Sequence, residues 1–225
     1  MRDLIVNGQI ILYGDVGDPW GWGDGFTPTD VMTALATLGS GPVTVRINSA
    51  GGIAMDGMAI YSLLKSHDGD VTVLIDGVAA SAASLIAMAG KSIQMRDGAL
   101  MMIHDAATVT FGNAEDHERS REFLDKISDN YAGVYAARAG ISREEAREIM
   151  KAETWLTADE AIEKGFADSK LGEAAVEPVA FDYRVYARAP KELPLRKRDK
   201  TTPKQPVEVS MTTPTPAVVA PTPAP

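Results

Sequence analysis

The chain has 225 residues and no cysteine, with 22 Lys and Arg against 31 Asp and Glu for a formal charge of −9. The acidic balance excludes a binder that works by neutralising nucleic-acid phosphates. The missing thiols exclude disulfide scaffolds, Cys-based zinc sites and cysteine nucleophiles, and with only three histidines neither a metal nor another cofactor is expected.

Met1-Arg2-Asp3 is not the cationic start of a signal peptide. Leu4–Val6 and Gln9–Tyr13 are predicted as paired strands turning at Asn7-Gly8, a dipeptide suited to a tight turn that needs positive φ twice. Thr27 caps a helix with Pro28 in its first turn, and the helix stops at Gly39. Val43–Ile47 alternates as a strand. Gly57, Ile60, Tyr61 and Leu64 recur at helical spacing, and Val71–Ile75 is a buried strand by length and β-branching. The weakly polar run Gly77–Gly90 is too short to span a bilayer and reads as a buried helix. Ser92–Met95 and Leu100–Ile103 flank Asp97-Gly98 as a second predicted hairpin.

Asn113 to Ala139 is a long helix, capped by Asn113 and stopped by Gly140, with an apolar stripe of Leu124, Ile127, Tyr131 and Val134. It would reach about 40 Å, longer than the domain's own core requires. Ser142…Glu145 and Thr157…Glu160 have capping-box spacing. Short strands repeatedly followed by helices indicate an α/β fold in residues 1–175. Residues 176–200 read as a solvated linker with a basic segment, Lys191–Lys200. Residues 201–225 hold seven Pro and six Thr and read as a disordered tail that buries too little to offset its ordering entropy.

Three segments carry chemistry. Ile47-Asn-Ser-Ala-Gly-Gly52 is a strand running into a paired-glycine turn that can aim backbone N–H groups into a cleft. In Gly77-Val-Ala-Ala-Ser-Ala-Ala-Ser84, Ser81 stands where a strand hands over to a helix, beside the donors an oxyanion needs. Met101-Met-Ile-His104 puts a histidine at the end of an apolar strand. Taken singly, each segment has an ordinary structural explanation: a connecting loop, an N-cap serine, a hydrogen-bonded histidine. Ser84 reads as packing, Ser49 as shaping its turn, and His67 and His117 as exposed. Asp105 neighbours His104 on a strand and so points to the other face.

The order of these segments, together with Glu153-Thr-Trp-Leu-Thr-Ala-Asp-Glu-Ala-Ile-Glu-Lys-Gly-Phe-Ala-Asp168, resembles the ClpP family of self-compartmentalised serine peptidases over about residues 5 to 172. The resemblance implies a ClpP/crotonase-like spiral of strand-strand-helix units with a long projecting handle helix. It implies Ser81 as nucleophile, His104 as general base and Glu153, where the family usually has Asp, as the group that orients the imidazole. It implies the N–H groups of Gly52 and Ala82 as oxyanion donors, protein substrates, and a homo-oligomeric ring built through the long helix.

Within the family, the short lead-in before residue 4, the Ala79-Ala-Ser-Ala-Ala-Ser84 run and the Glu-Thr-Trp-Leu-Thr-Ala block look like the phage-encoded ClpP-related proteases of head maturation. That likeness implies ATP-independent cleavage of scaffold and capsid precursors, in the bacterial cytoplasm or the prohead interior. It leaves an AAA+ ATPase partner without its usual docking segment. The loop Trp20-Gly-Trp-Gly-Asp-Gly-Phe26 is either a substrate or subunit contact or a surface loop. It is not a phosphate loop, because no Lys-Ser/Thr follows. The rival expectations are an inactive ClpP-fold assembly subunit, a general ATP-dependent Clp-type subunit, and a crotonase-type acyl-CoA enzyme, which would leave the Ser–His pair unexplained.

Overall fold

The computed structural model describes residues 2–18, 25–173 and 178–194. Most of the Gly/Trp loop and all of the Pro/Thr-rich tail, 201–225, lie outside the described residues. The elements, in chain order, are β1 (Ile5–Val6), β2 (Gln9–Tyr13), α1 (Pro28–Leu38), β3 (Val43–Ser49), α2 (Ala54–Lys65), β4 (Val71–Ala80), α3 (Ala82–Ala87), β5 (Ser92–Asp97), β6 (Leu100–Ile103), α4 (Ala114–Ala139), α5 (Arg143–Lys151), β7 (Thr154–Thr157), α6 (Ala158–Glu163) and β8 (Ser169–Glu173).

Among the described residues the strands form one mixed sheet. β1 and β2 pair antiparallel across Asn7 (φ +50°) and Gly8 (φ +73°). β2, β3, β4, β5 and β8 then follow in parallel order. Burial alternates along the central strands: Val45, Ile47, Val73, Ile75, Ile93 and Met95 on one face are fully buried, while Thr44, Arg46, Thr72, Leu74 and Gln94 on the other are half-buried. Strands and helices alternate in the α/β manner expected.

β4 organises the functional end. It continues past Ile75, through Asp76-Gly77-Val78, to Ala80, so the first part of the run Gly77–Gly90 is strand and only Ala82–Ala87 is helix. β5 pairs with Thr72–Ile75 and β6 with Val78–Ala80, both parallel to β4. Asp97-Gly98 is therefore a jog between two strands running the same way, not the expected hairpin turn. Once β5 diverges, the remaining backbone groups of β4 need partners, and β6 supplies them. β6 in turn pairs antiparallel with β7, Met101 opposite Leu156.

Between β3 and β4 the register slips: Ile47 faces Ile75, but Ser49 faces Ala79. The extra β4 residues form a bulge, which re-aims the strand end. Asn48 Oδ1 accepts the Val78 N–H at 3.2 Å and so satisfies a donor the bulge removes from the ladder.

The long helix forms as expected. Asn113 caps α4 by accepting from Asp116 N–H, and Gly140 closes it in the left-handed conformation (φ +70°). Its C-terminal half buries Ile127, Tyr131, Ala132, Tyr135 and Ala136, while Phe123 stays exposed, as do Val109 and Phe111 just before the helix. No described helix is long and apolar enough to cross a membrane.

Residues 178–194 are not the solvated linker their flanking charges indicate. Tyr183 and Leu193 are buried with Ala50, Val78, Ala80 and Met102, and Val179, Phe181 and Tyr186 pack on that cluster. Aromatic burial outweighs the polarity of the neighbouring residues.

Candidate active site

Ser81 is the single residue between β4 and α3, with φ +54° and ψ −125°. A non-glycine residue in that region stores about 1–3 kcal/mol of strain, held by its surroundings. Here the hold is a set of hydrogen bonds. Ser81 N–H donates to Met102 O at 2.9 Å, and Ser81 O accepts from Ser84 N–H at 3.0 Å. The Ser81 side chain makes no capping bond to the helix it precedes. Its Oγ lies 2.7 Å from His104 Nε2 instead.

His104 follows β6, whose pairing with the end of β4 brings the two residues together across 23 positions of sequence. Burial pushes the imidazole below its ordinary value, and the Glu153 charge opposes that shift in part. The ring is therefore held as the neutral base, the form able to accept the Ser81 proton.

The paired glycines lie directly against Ser81. Gly51 (φ +97°) and Gly52 (φ +152°) occupy conformations that L side chains rarely adopt. A Cβ on Gly51 would stand 2.7 Å from Ser81 Cβ and 3.3 Å from Ala82 N. Val16 pairs with the turn: Val16 N–H donates to Gly51 O and Ile53 N–H to Val16 O, both at 2.9 Å. In such a bridge the N–H of Gly52 is turned away from Val16. Ala82 is the first residue of α3, where a helix N–H lacks an intrahelical acceptor. The structure thus brings Ser81, His104, the Gly51-Gly52 turn and Ala82 together at the end of β4.

Glu153, between α5 and β7, is the other described non-glycine residue with positive φ at this end (φ +47°). Its carboxylate accepts from Ala187 N–H at 2.7 Å, Arg188 N–H at 2.6 Å and Trp155 Nε1–H at 3.2 Å. It makes no hydrogen bond to His104. The glutamate reaches the imidazole by its field and the segment 178–194 by contact.

That segment is what sequence reasoning missed. The Tyr186 ring meets the His104 ring edge-on at 5.2 Å, and the Tyr186 hydroxyl donates to Ala50 O at 2.6 Å. The Ser81 side chain interacts with the same hydroxyl. Tyr186 and Tyr183 also pack edge-on against Trp155, at 6.0 and 6.2 Å. Val179 N–H donates to Asn48 Oδ1 at 2.9 Å, and Pro178 lies so near Gly77 that a Cβ there would come within 3.0 Å of its Cα. The available signal was Phe181, Tyr183 and Tyr186, three aromatics in a stretch otherwise read as linker.

The remaining candidates have structural partners. Ser84 is fully buried, with its Oγ within hydrogen-bond distance of Ser81 O (2.7 Å), Met102 O (2.8 Å) and the Tyr135 hydroxyl (2.9 Å). Ser49 Oγ accepts from Gly51 N–H at 3.2 Å and shapes the turn. Asp105 pairs with Arg147 at 2.6 Å, away from His104. His67 contacts Gly41 O and His117 contacts the Thr110 hydroxyl, both on the surface. No group of three or more His, Asp or Glu able to hold a metal occurs among the described residues.

Behind the bulge, fully buried Asp76 accepts from Arg46 (2.6 and 2.7 Å), Arg96 (2.9 Å) and the Tyr13 hydroxyl (2.8 Å). Burial alone would raise its carboxyl, but these hydrogen bonds outweigh burial and hold it below the usual range. Burial and the Asp76 contact push Tyr13 up to about 12. The network ties β2, β3, β4 and β5 together immediately before the turn that carries Ser81.

The family model described as Clp protease matches residues 24–173. A relative in Rhodococcus jostii, ATP-dependent Clp protease proteolytic subunit 3, is 31% identical over 129 residues, covering 56% of this chain and 63% of its own length. The ATP-dependent Clp protease proteolytic subunit of Bacteroides fragilis is 29% identical over 156 residues, covering 66% of this chain and 74% of its own. The structure of a ClpP1 point mutant from Listeria monocytogenes superposes with a TM-score of 0.64 at 22% identity, over 74% of this chain and 92% of that one, which shows a shared fold.

Proposed function

The chain belongs to the Clp protease family, a family of serine endopeptidases, and from that premise we propose that it hydrolyses peptide bonds with Ser81 as nucleophile and His104 as general base. The observation that carries this is the 2.7 Å contact between Ser81 Oγ and His104 Nε2, made by a serine whose strained backbone leaves its hydroxyl uncommitted to the helix cap. Ser81 Oγ attacks the scissile carbonyl carbon as its proton passes to Nε2. The Gly52 and Ala82 N–H groups donate to the oxyanion. His104 then returns the proton to the leaving amine, and water repeats the sequence on the acyl-enzyme. Glu153 serves as the group that orients and stabilises the imidazolium. Covalent labelling by a fluorophosphonate probe, lost in Ser81→Ala, tests the assignment. A folded wild-type chain that never labels would instead be an inactive assembly subunit.

Members of this family form homo-oligomeric rings and act on protein substrates. For this chain the finer proposal is cleavage of phage scaffold and capsid precursors during head maturation, without ATP. Its support is the Ala79–Ser84 run and the Glu153–Ala158 block. A second reading, a general Clp-type proteolytic subunit driven by an ATPase, is favoured by the names of the Rhodococcus and Bacteroides relatives. Digestion of a capsid-precursor protein with and without nucleotide and an AAA+ unfoldase separates the two. Nucleotide-free cleavage supports the first, and strict dependence on the unfoldase the second.

A further inference from the structure

We infer that residues 178–194 are an intramolecular strap that keeps the site latent, by seating Tyr186 over the Ser81–His104 pair and by engaging the Glu153 carboxylate through the N–H groups of Ala187 and Arg188. This rests on Ser81 and His104 being the reacting pair.

The two arms act on different parts of the chemistry. Tyr186 occupies the approach to Ser81. Its ring covers the imidazole edge, and its hydroxyl bonds Ala50 O beside the paired-glycine turn, where a substrate carbonyl would have to sit. The second arm withholds the orienting group. With two backbone donors at 2.6 and 2.7 Å, the Glu153 carboxylate has its acceptor positions turned toward the strap and makes no bond to His104. One displacement therefore opens the approach and frees the carboxylate for the imidazole.

The strap is anchored beyond the site at both ends. Val179 N–H donates to Asn48 Oδ1, the atom that also holds the β4 bulge, and Leu193 is buried in the same apolar cluster as Tyr183. Between the buried anchors Tyr183 and Leu193, the stretch Tyr186 to Arg188 meets the site through aromatic edges and single hydrogen bonds. Each such contact shifts a two-state equilibrium by about two- to tenfold, so this stretch can be displaced while the anchors stay packed.

The full-length chain tests this through the second-order rate of fluorophosphonate labelling, with Ser81→Ala as the blank. Tyr186→Ala removes the first arm, and Ala187→Pro removes one donor of the second. Each is expected to raise the labelling rate by about tenfold, the loss expected for one aromatic contact or one charge-assisted hydrogen bond. Rates equal to or below wild type in folded variants would overturn the strap. A second measurement needs no variant: hydrogen exchange at the Ala187 and Arg188 amides before and after labelling. The adduct on Ser81 should displace Tyr186 and abolish protection there, and protection retained in the labelled protein would also overturn it. If neither wild type nor variants label, the protease assignment itself falls, and the strap's role falls with it.

Discussion

Ser81 Oγ and His104 Nε2 stand 2.7 Å apart, a formed hydrogen bond between residues delivered by two different strands of one sheet. The serine comes from the end of β4 and the histidine from the end of β6, and the parallel pairing of Val78–Ala80 with Leu100–Met102 sets the distance. Ser81→Ala or His104→Ala should lower peptide hydrolysis by roughly 10⁴- to 10⁶-fold, because the two act as a unit. Purified variants assayed on a fluorogenic peptide, with circular dichroism as the folding control, check this. A variant that keeps a tenth of wild-type activity would contradict the pair's role.

The His104 imidazole must be neutral to accept the serine proton. Burial lowers its pKa from the ordinary 6.5, with the Glu153 charge offsetting part of the shift. The labelling rate should therefore rise with pH through a midpoint below 6.5 and be level from there to pH 8. A midpoint above 7 would mean that another group titrates. In Tyr186→Ala, with the ring more exposed, the midpoint should move upward.

Glu153→Gln preserves the side chain's size but not its charge. Turnover should drop by about 10²- to 10⁴-fold if the carboxylate stabilises the imidazolium. Thermal stability should fall only modestly, since Glu153 lies at the edge of the fold and its amide partners are themselves exposed. Steady-state kinetics beside a melting curve separates the two effects. Unchanged turnover would assign the orienting role elsewhere.

Asp76→Ala leaves Arg46 and Arg96 facing each other beside a buried gap. Breaking a buried ion pair in this way costs about 3–5 kcal/mol. The pH dependence has a definite sign. A carboxyl held below its unfolded value contributes fully above about pH 4 and loses that contribution as pH falls toward its folded value. Wild type should lose stability in this acid range more steeply than the variant, as urea unfolding at pH 3 and pH 6 would reveal.

The exposed Phe123 on the outer half of α4, with Phe111 and Val109 just before it, leaves apolar surface that a single chain does not cover. In solution the protein should exceed its 24.0 kDa chain mass several-fold by light scattering. Phe123→Glu should shift the distribution toward smaller species. A wild-type monomer at micromolar concentration would count against ring assembly.

Local rules made much of this chain readable in advance. Asn7-Gly8, the Thr27 and Asn113 caps and Gly140 act within a few residues, and each element they bound forms as expected. The segments around Gly52, Ser81 and His104 each had an ordinary structural explanation alone, and were legible as a set only through the resemblance of their order and spacing to one peptidase family. Asp97-Gly98 misled because a turn-forming dipeptide does not encode which strand its neighbours will pair with. The long edge of β4 decided that. Residues 178–194 misled for a related reason. Their composition describes a segment in water, whereas burial of Phe181, Tyr183 and Tyr186 depends on an apolar surface assembled from β3, β4, β6 and β7. The α/β order could be read from the chain because short-range propensity sets where strands and helices form. What packs against Ser81, His104 and Glu153 could not be read that way, because long-range contact, unlike a cap or a turn, is a property of the packed whole.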